Sequence, residues 1–162
     1  EIKICLLTSN KKIIKRINFS SNDISLTNVK KYFKSSYKYF SKIEKILFCS
    51  VVPSSFNLIK KFLKTKTKAK CYEVKELNLT SLIKIKVNYN QVGSDRVTNA
   101  ISLIDNKKNF IIVDLGTATT FDVLIKNDYM GGVIAPGIKI SLNTLSDRAT
   151  LIPKIDLKKL TK

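Results

Sequence analysis

The sequence predicts an α/β fold in which mixed β-sheets are flanked by helices. Segments with the pattern of buried strands, such as Lys45–Val52 and Phe110–Val113, alternate along the chain with segments whose apolar residues recur at helical spacing. No internal repeat and no low-complexity linker interrupts this alternation. The 162 residues suffice for one domain or two small lobes with a proper core. We place the boundary between two predicted domains after residue 87, which gives domains 1–87 and 88–162.

The first half is predicted to begin with a β-hairpin. Residues 2–6 alternate between apolar and other side chains, Ser9–Lys11 has the composition of a turn, and Lys12–Phe19 reads as the second strand. A helix over 25–43 follows, capped by Ser25 or Thr27, and we interpret its aromatic stripe as core rather than as a nucleotide-binding surface. The remaining elements predicted here are a strand at 45–52, a helix at 54–64, and short strands at 71–74 and 81–87.

In the second half, apolar spacing predicts a helix from Asp95 to Asp105. Ser94 is in the position of an N-cap, which places Asp95 in the first helical turn. There the helix dipole and nearby N–H groups favour an ionised carboxylate, which can accept a proton from an incoming hydroxyl. Arg96 beside it can hold an anionic group by forked hydrogen bonds. The alternative is a Ser-Asp helix start without a chemical role.

The most informative stretch covers residues 109–137. Phe110–Val113 has the pattern of a strand buried on both faces, and further strands are predicted at 121–125 and 131–135. The turn Asp114–Thr120 contains a leading carboxylate, a glycine and threonine hydroxyls. A carboxylate that can hold a cation, next to the backbone N–H groups of a glycine turn, suits a polyphosphate with its metal. A plain hairpin with an Asx-type turn is the alternative.

The composition excludes several kinds of mechanism. The chain has no histidine, which excludes Ser-His-Asp and Cys-His catalysis and histidine-ligated metals. A carboxylate is then the natural acid–base group, and Asp and Glu total only 12. The three cysteines are widely spaced without a C-x-x-C, which argues against disulfides or a zinc site and favours a reducing cytoplasm. No apolar run reaches the roughly 18 residues of a membrane span.

The net charge of +18 raises the question of a nucleic-acid partner. Nearly all the positive charge is lysine, scattered through Ile- and Asn-rich sequence rather than gathered in one motif. A compositional preference for Lys, Ile and Asn explains the charge as well as a binding surface does. We therefore expect no dedicated nucleic-acid partner.

Three motifs, in this order along the chain, resemble the type III pantothenate kinases of the actin-like ATPase superfamily. They are G-S-D-R-x-x-N-A at Gly93–Ala100, D-x-G-T-A-T-T-F-D at Asp114–Asp122 and G-G-x-I-x-P-G at Gly131–Gly137. Cys49–Pro53 is similar to the family's S-S-V-V-P, and Leu145–Pro153 is similar to its segment ending in A-x-L-P. The matches cover the chain almost from end to end.

The resemblance implies ATP-dependent phosphorylation of pantothenate to 4′-phosphopantothenate, the first step of coenzyme A synthesis. It implies ribonuclease H-like lobes with ATP in the cleft, here incomplete: 1–87 as the first lobe and 88–162 as the start of the second. Mg²⁺, a monovalent cation (K⁺ or NH₄⁺), a homodimer, a cytoplasmic location and no membrane association are also implied. The implied site consists of Asp95 as general base; Tyr89, Gly93, Ser94, Asp95 and Arg96 around pantothenate; Gly116 and Thr117 at ATP; and Asp114 at the cation.

The chain departs from the family pattern at both ends. The family begins with a D-x-G-N-T phosphate loop directly before the hairpin and continues beyond the match to Pro153 through G-K-N-T. We therefore expect an interior piece of a longer protein, or a degenerate copy, with weak or no activity by itself. A regulatory accessory protein on the same fold is the alternative. Another actin-like ATPase or a sugar kinase is disfavoured by the G-S-D-R segment.

Overall fold

The computed structural model describes residues 2–149 and residue 153, which divide into two compact units. The first unit runs to Leu77 and the second begins at Asn78. Residues 78–87, which we assigned to the first domain, group with the second unit because a short strand within them pairs with its sheet. No helix of the described residues has the length and apolar character needed to cross a membrane.

The first unit opens with the predicted β-hairpin. Strands β1 (Ile2–Leu7) and β2 (Ile13–Phe19) pair antiparallel, with Ile4 opposite Ile17. The turn between them is closed by hydrogen bonds from the backbone N–H of Thr8 to the carbonyl of Lys12 (2.9 Å) and from the N–H of Lys12 to the Thr8 hydroxyl (3.0 Å). The hairpin prediction is confirmed.

Helix α1 (Leu26–Phe33) begins where it was predicted to begin and ends earlier than predicted. Ser25 is the N-cap, and its hydroxyl accepts a hydrogen bond from the Asn28 N–H at 3.1 Å. The predicted continuation to residue 43 is wrong, because Lys34–Lys42 forms a tighter 3-10 helix. The change coincides with two consecutive serines, which are weaker helix formers than the lysines and leucine before them.

The rest of the first unit is a strand–helix–strand segment. Strand β3 (Lys45–Phe48) and strand β4 (Lys70–Glu73) pair in parallel and are connected by helix α2 (Pro53–Lys66). The predicted strand through residue 52 is too long, since Val52 is already the N-cap of α2. Proline at the first helical position is favourable because its missing N–H needs no partner there.

The core of the first unit confirms that the aromatic stripe is structural. Phe33 lies within 5.4 Å of Phe62 and 5.9 Å of Phe40, measured between ring centroids. These rings belong to a cluster of buried side chains contributed by β2, α1, the 3-10 helix and α2: Phe19, Val29, Phe33, Phe40, Ile59, Phe62 and Leu63.

In the part of the second unit that the structure describes, a four-stranded sheet is accompanied by two α-helices. Its elements are β5 (Lys84–Ile85), α3 (Ser94–Ser102), β6 (Asn109–Leu115), β7 (Ala118–Ile125), β8 (Asp128–Pro136) and α4 (Ile138–Arg148). The strand order is β5-β8-β7-β6, in which β6, β7 and β8 pair antiparallel and β5 joins β8 in parallel. A mixed α/β architecture is therefore confirmed. The predicted segment Leu145–Pro153 lies partly in α4, and its residues 150–152 are outside the described residues.

The two faces of this sheet differ in burial. On the face toward α3, Ile112, Asp122 and Leu124 are buried. The other face, which we call the apolar sheet face, is exposed, so the prediction that Phe110–Val113 is buried on both sides is wrong. The reason is that β6 is an edge strand of an antiparallel meander covered on one side only. The apolar sheet face consists of Ile111, Val113, Leu115, Phe121, Val123, Ile125 and Val133.

Candidate active site

The candidate base lies at the start of α3, as predicted. Gly93 is the N-cap, with an extended backbone (φ −63°, ψ 146°), and its carbonyl accepts a hydrogen bond from the Val97 N–H at 3.2 Å. Ser94 is the first helical residue and is buried, so its predicted N-cap position is wrong by one residue. Asp95 is in the first turn, and this part of the prediction is confirmed. The helix ends at Ser102, short of the predicted end at Asp105.

The Asp95 carboxylate is exposed at the helix start. Its Oδ1 accepts a hydrogen bond from the backbone N–H of Arg96 at 2.9 Å. Because the side chain is open to solvent, a substrate hydroxyl can approach it. The geometry therefore suits a proton acceptor.

The guanidinium of Arg96 turns inward to Asp122 on β7. Oδ1 of Asp122 accepts hydrogen bonds from Nε of Arg96 at 2.8 Å and from Nη2 at 2.6 Å. The same oxygen accepts a hydrogen bond from the Tyr129 hydroxyl at 2.5 Å. The Asp122 side chain is fully buried, and that of Arg96 is 11% exposed. This buried cluster of three residues joins α3 to β7 and β8.

The cluster shifts the pKa values of two of its members. The hydrogen bond to Asp122 raises the pKa of Arg96, against a smaller lowering by burial, so the guanidinium stays charged. Burial raises the pKa of Tyr129 well above its ordinary value, and the hydrogen bond to Asp122 raises it further. Oδ2 of Asp122 is buried and has no hydrogen-bond partner among the described residues. All three donors are thus concentrated on one carboxylate oxygen.

A second contact connects α3 with the end of β6. Nδ2 of Asn99 donates a hydrogen bond to Oδ2 of Asp114 at 3.1 Å. Asn99 follows Asp95 by one helical turn and lies on the same side of α3. The structure therefore brings the predicted base and the predicted cation ligand to the same side of one helix.

The glycine turn after Asp114 lies against the start of α4. The N–H of Gly137, the N-cap of α4, donates to the carbonyl of Thr117 at 3.1 Å. A Cβ at Gly137 would come within 2.4 Å of the Gly116 carbonyl oxygen and 2.3 Å of that of Thr117. The N–H of Gly116 donates to the carbonyl of Ala118 at 2.9 Å and so is already bonded within the turn. Thr117 is exposed and lies beside the N-terminus of an 11-residue helix, a position that favours an anion.

Asp114, the predicted cation ligand, could hold a cation only together with other ligands, such as the oxygens of a bound phosphate. Among the residues that the structure describes, no three His, Cys, Asp or Glu side chains are grouped to hold a metal. Asp114 is one exposed carboxylate, and Mg²⁺ commonly takes only one or two protein carboxylates beside substrate phosphates.

Tyr89, the remaining predicted site residue, is half-buried in a 3-10 turn (Tyr89–Gln91) that precedes Gly93.

Comparison with known proteins assigns the chain to a family. The sequence profile of type III pantothenate kinases matches residues 1–162. The chain belongs to this family. A type III pantothenate kinase from Pelagibacter ubique is 58% identical over 159 residues, which are 98% of this chain and 64% of that protein. One from Syntrophotalea carbinolica is 36% identical over 120 residues, which are 73% of this chain and 47% of that protein.

The chain thus spans between about half and two-thirds of the length of these type III pantothenate kinases. A solved structure from Campylobacter jejuni, named as a member of the Baf family, is 22% identical and covers 72% of this chain and 50% of its own. Its TM-score of 0.44 is too low to support an argument about fold or function.

Reasoning from the sequence assigned no role to four residues that shape the candidate site: Asn99, Asp122, Tyr129 and Gly137. Asp122 was noted only as the last letter of a family motif. A signal was available, because strand alternation places it on the same face as Leu124, and a carboxylate on a buried face needs a cationic partner. The partner itself was not predictable from spacing, since Arg96 lies 26 residues away along the chain.

Proposed function

We propose that the whole protein transfers the γ-phosphoryl group of ATP to pantothenate, giving 4′-phosphopantothenate, and that this chain supplies its general base and substrate-binding segment. The observation that carries the proposal is the match to the type III pantothenate kinase family over residues 1–162. The position of Asp95 supports it, because an exposed carboxylate in the first turn of a helix is suited to receive a proton.

Asp95 is the general base in this proposal. It takes the proton of the pantothenate hydroxyl while the hydroxyl oxygen forms a bond to the γ-phosphorus. The bond between that phosphorus and the bridging oxygen of ATP breaks, and ADP leaves. A carboxylate suffices for the proton because phosphoryl transfer depends mainly on positioning and charge stabilisation. The absence of histidine from the sequence is compatible with this chemistry.

Pantothenate lies along the start of α3 in this proposal. Gly93 and Ser94 form the helix start, and Tyr89 precedes them in its 3-10 turn. Arg96 supplies positive charge for the substrate's carboxylate. Two of the five N–H groups of an arginine are bonded to Asp122 here, and the proposal assigns the others to the substrate's carboxylate.

ATP lies at the turn that follows β6. Gly116 and Thr117 contact its phosphates beside the N-terminus of α4. Asp114 holds a cation, Mg²⁺ or a monovalent ion such as K⁺ or NH₄⁺, which neutralises phosphate charge when bound. The hydrogen bond from Asn99 orients the Asp114 carboxylate for that purpose.

The wider proposal concerns the whole protein. Family membership supports ribonuclease H-like lobes of the actin-like ATPase kind. We place the end of the first lobe at Leu77 instead of the predicted residue 87, because residues 78–87 group with the second unit. The proposal also includes a homodimer, a cytoplasmic location and no dedicated nucleic-acid partner, as predicted from the sequence. The mixed sheet of the second unit, with α3 on one face, is compatible with such a lobe.

Asp95→Asn in the whole protein is the test of the proposed reaction. Formation of phosphopantothenate from ATP and pantothenate is measured with K⁺ and Mg²⁺ present. Loss of the base is expected to lower kcat by about 10²–10⁴-fold. Asp105→Asn is the matched control, because Asp105 makes a surface turn and an ion pair with Lys108. Unchanged turnover in Asp95→Asn, or none in a folded wild-type protein, would contradict the proposal.

A further inference from the structure

We propose that Asp122 and Tyr129 form a positioning pair that fixes the guanidinium of Arg96 before substrate arrives, so that its remaining N–H groups face the substrate's anionic group. The inference rests on the proposed function for the identity of that anion, the pantothenate carboxylate. Neither Asp122 nor Tyr129 touches substrate, because both side chains are fully buried. They act through Arg96.

The hydrogen-bond pattern distinguishes this cluster from a simple ion pair. An arginine that only balances a buried carboxylate commonly bonds both oxygens in parallel. Here Nε and Nη2 of Arg96 both bond Oδ1 of Asp122, and Oδ2 has no partner among the described residues. This arrangement directs the side of the guanidinium that carries Nη1 away from Asp122.

Tyr129 holds the carboxylate in this orientation. Its hydroxyl donates to the same Oδ1 from the adjacent strand β8, and its ring is fully buried. The donor is fixed because the ring sits within the sheet, opposite Leu124. A carboxylate bonded to a fixed donor cannot rotate to offer Oδ2 to Arg96 without losing that bond.

Fixing Arg96 in advance has a functional consequence. A free arginine side chain has many rotamers, and ordering it during binding reduces affinity. The first turn of α3 carries Asp95 and Arg96 side by side, so fixing the guanidinium also fixes the substrate's anionic end relative to the base. The alternative is that the cluster only joins α3 to the sheet. That role would change stability and leave substrate affinity unchanged.

The first test is NMR of the arginine Nε–H groups in the chain as it stands. Only Arg16, Arg96 and Arg148 contribute signals, so Arg96→Lys identifies the signal of interest. In the wild type, Arg96 Nε–H is expected to exchange with water at least about tenfold more slowly than the other two. In Asp122→Asn, the exchange rate of the Arg96 Nε–H is expected to approach the rates of Arg16 and Arg148. In Asp105→Asn, it is expected to stay at the wild-type value.

The wild-type measurement decides whether the Arg96 guanidinium is fixed without substrate, even if Asp122→Asn does not fold. An Arg96 Nε–H as mobile as those of Arg16 and Arg148 overturns the proposal. So does a slow signal that persists unchanged in folded Asp122→Asn. Tyr129→Phe keeps the charge of Asp122 and removes only one donor, and it is expected to accelerate exchange less than Asp122→Asn does.

The second test is titration with pantothenate, followed on the Arg96 Nε–H and on the backbone amides of residues 93–96. Asp122→Asn is expected to raise Kd at least about tenfold, and Asp105→Asn to leave it within about twofold. Equal Kd in wild type and folded Asp122→Asn overturns the positioning role. A folded wild type that pantothenate does not shift counts against the proposed function instead, and the exchange measurement still decides whether Asp122 fixes Arg96.

Discussion

At the scale of single residues, the buried phenol of Tyr129 couples stability to alkaline pH. Burial and the hydrogen bond to Asp122 raise its pKa in the folded protein, whereas an unfolded tyrosine has a pKa of about 10. The folded state therefore holds the phenolic proton more tightly than the unfolded chain does. The stability contributed by this proton is complete below about pH 10 and is lost as the pH rises above it.

Tyr129→Phe tests this coupling. The free energies of unfolding of wild type and variant are measured by urea denaturation between about pH 8 and pH 11. The advantage of the wild type is expected to be constant up to about pH 9 and then to fall, by at most about 1.4 kcal/mol per pH unit. Comparing the two proteins at each pH cancels the titration of the lysines, which both contain. A difference that stays constant to pH 11 would contradict the inferred proton linkage.

Some residue positions in the candidate site could be predicted from the sequence, and others could not. Asp95 in the first turn of a helix was predictable, because apolar spacing locates a helix and Asp95 precedes its first apolar residue. That the N-cap is Gly93 and not Ser94 was not predictable, because a shift of one residue depends on backbone angles. The inward turn of Arg96 was also not predictable, since it depends on a strand that is distant in sequence.

At the scale of secondary-structure elements, the start of α4 is held against the glycine turn through Gly137. The Cβ of any other residue would overlap the carbonyl oxygens of Gly116 and Thr117. The close approach places the N-terminus of α4 beside the turn proposed to contact ATP. A substitution that prevents this close approach should therefore affect both the stability of the protein and the geometry of that part of the site.

Gly137→Ala is expected to lower the free energy of unfolding by about 1–3 kcal/mol, because the helix or the turn must shift to accommodate the methyl group. Gly116→Ala is the control: its Cβ would lie 3.5 Å from the Ala118 carbonyl oxygen, which is an ordinary van der Waals contact. That variant is expected to keep its stability or to gain up to about 1 kcal/mol. Urea denaturation measures both. Equal stabilities of the two variants would show that the contact at Gly137 has no energetic weight.

Elements were easier to predict than the way they pack. The hairpin, α2 and the three long strands of the second unit follow from local patterns of period 2 or 3.6. The early end of α1 and the exposure of one side of β6 do not. A continuous apolar run such as Phe110–Val113 shows that a strand is apolar, but not whether both of its faces are covered.

At the scale of the whole molecule, the net charge of +18 on 162 residues sets the response to salt. Like charges repel within a folded chain and disfavour the compact state. Raising NaCl from about 0.01 M to about 0.15 M shortens the screening length from about 30 Å to about 8 Å. The repulsion is then reduced, and the folded chain should become more stable.

The melting temperature is expected to rise by about 2–4 °C over this range, the equivalent of about 1 kcal/mol. Scanning calorimetry in NaCl and in KCl at equal ionic strength measures it. Screening predicts the same rise in both salts, whereas a rise in KCl alone would indicate bound potassium. A melting temperature that falls with added salt would contradict the role assigned to charge repulsion.

Because the apolar sheet face is exposed, added salt also affects association between molecules. In dilute buffer, the strong positive charge keeps separate molecules apart. The exposed surface around Val113 and Phe121 therefore does not contact the same surface of another molecule. Salt that relieves repulsion inside one molecule relieves it between molecules as well. The conditions that raise the melting temperature are therefore those in which the chain precipitates most readily, and storage buffers must balance thermal against colloidal stability.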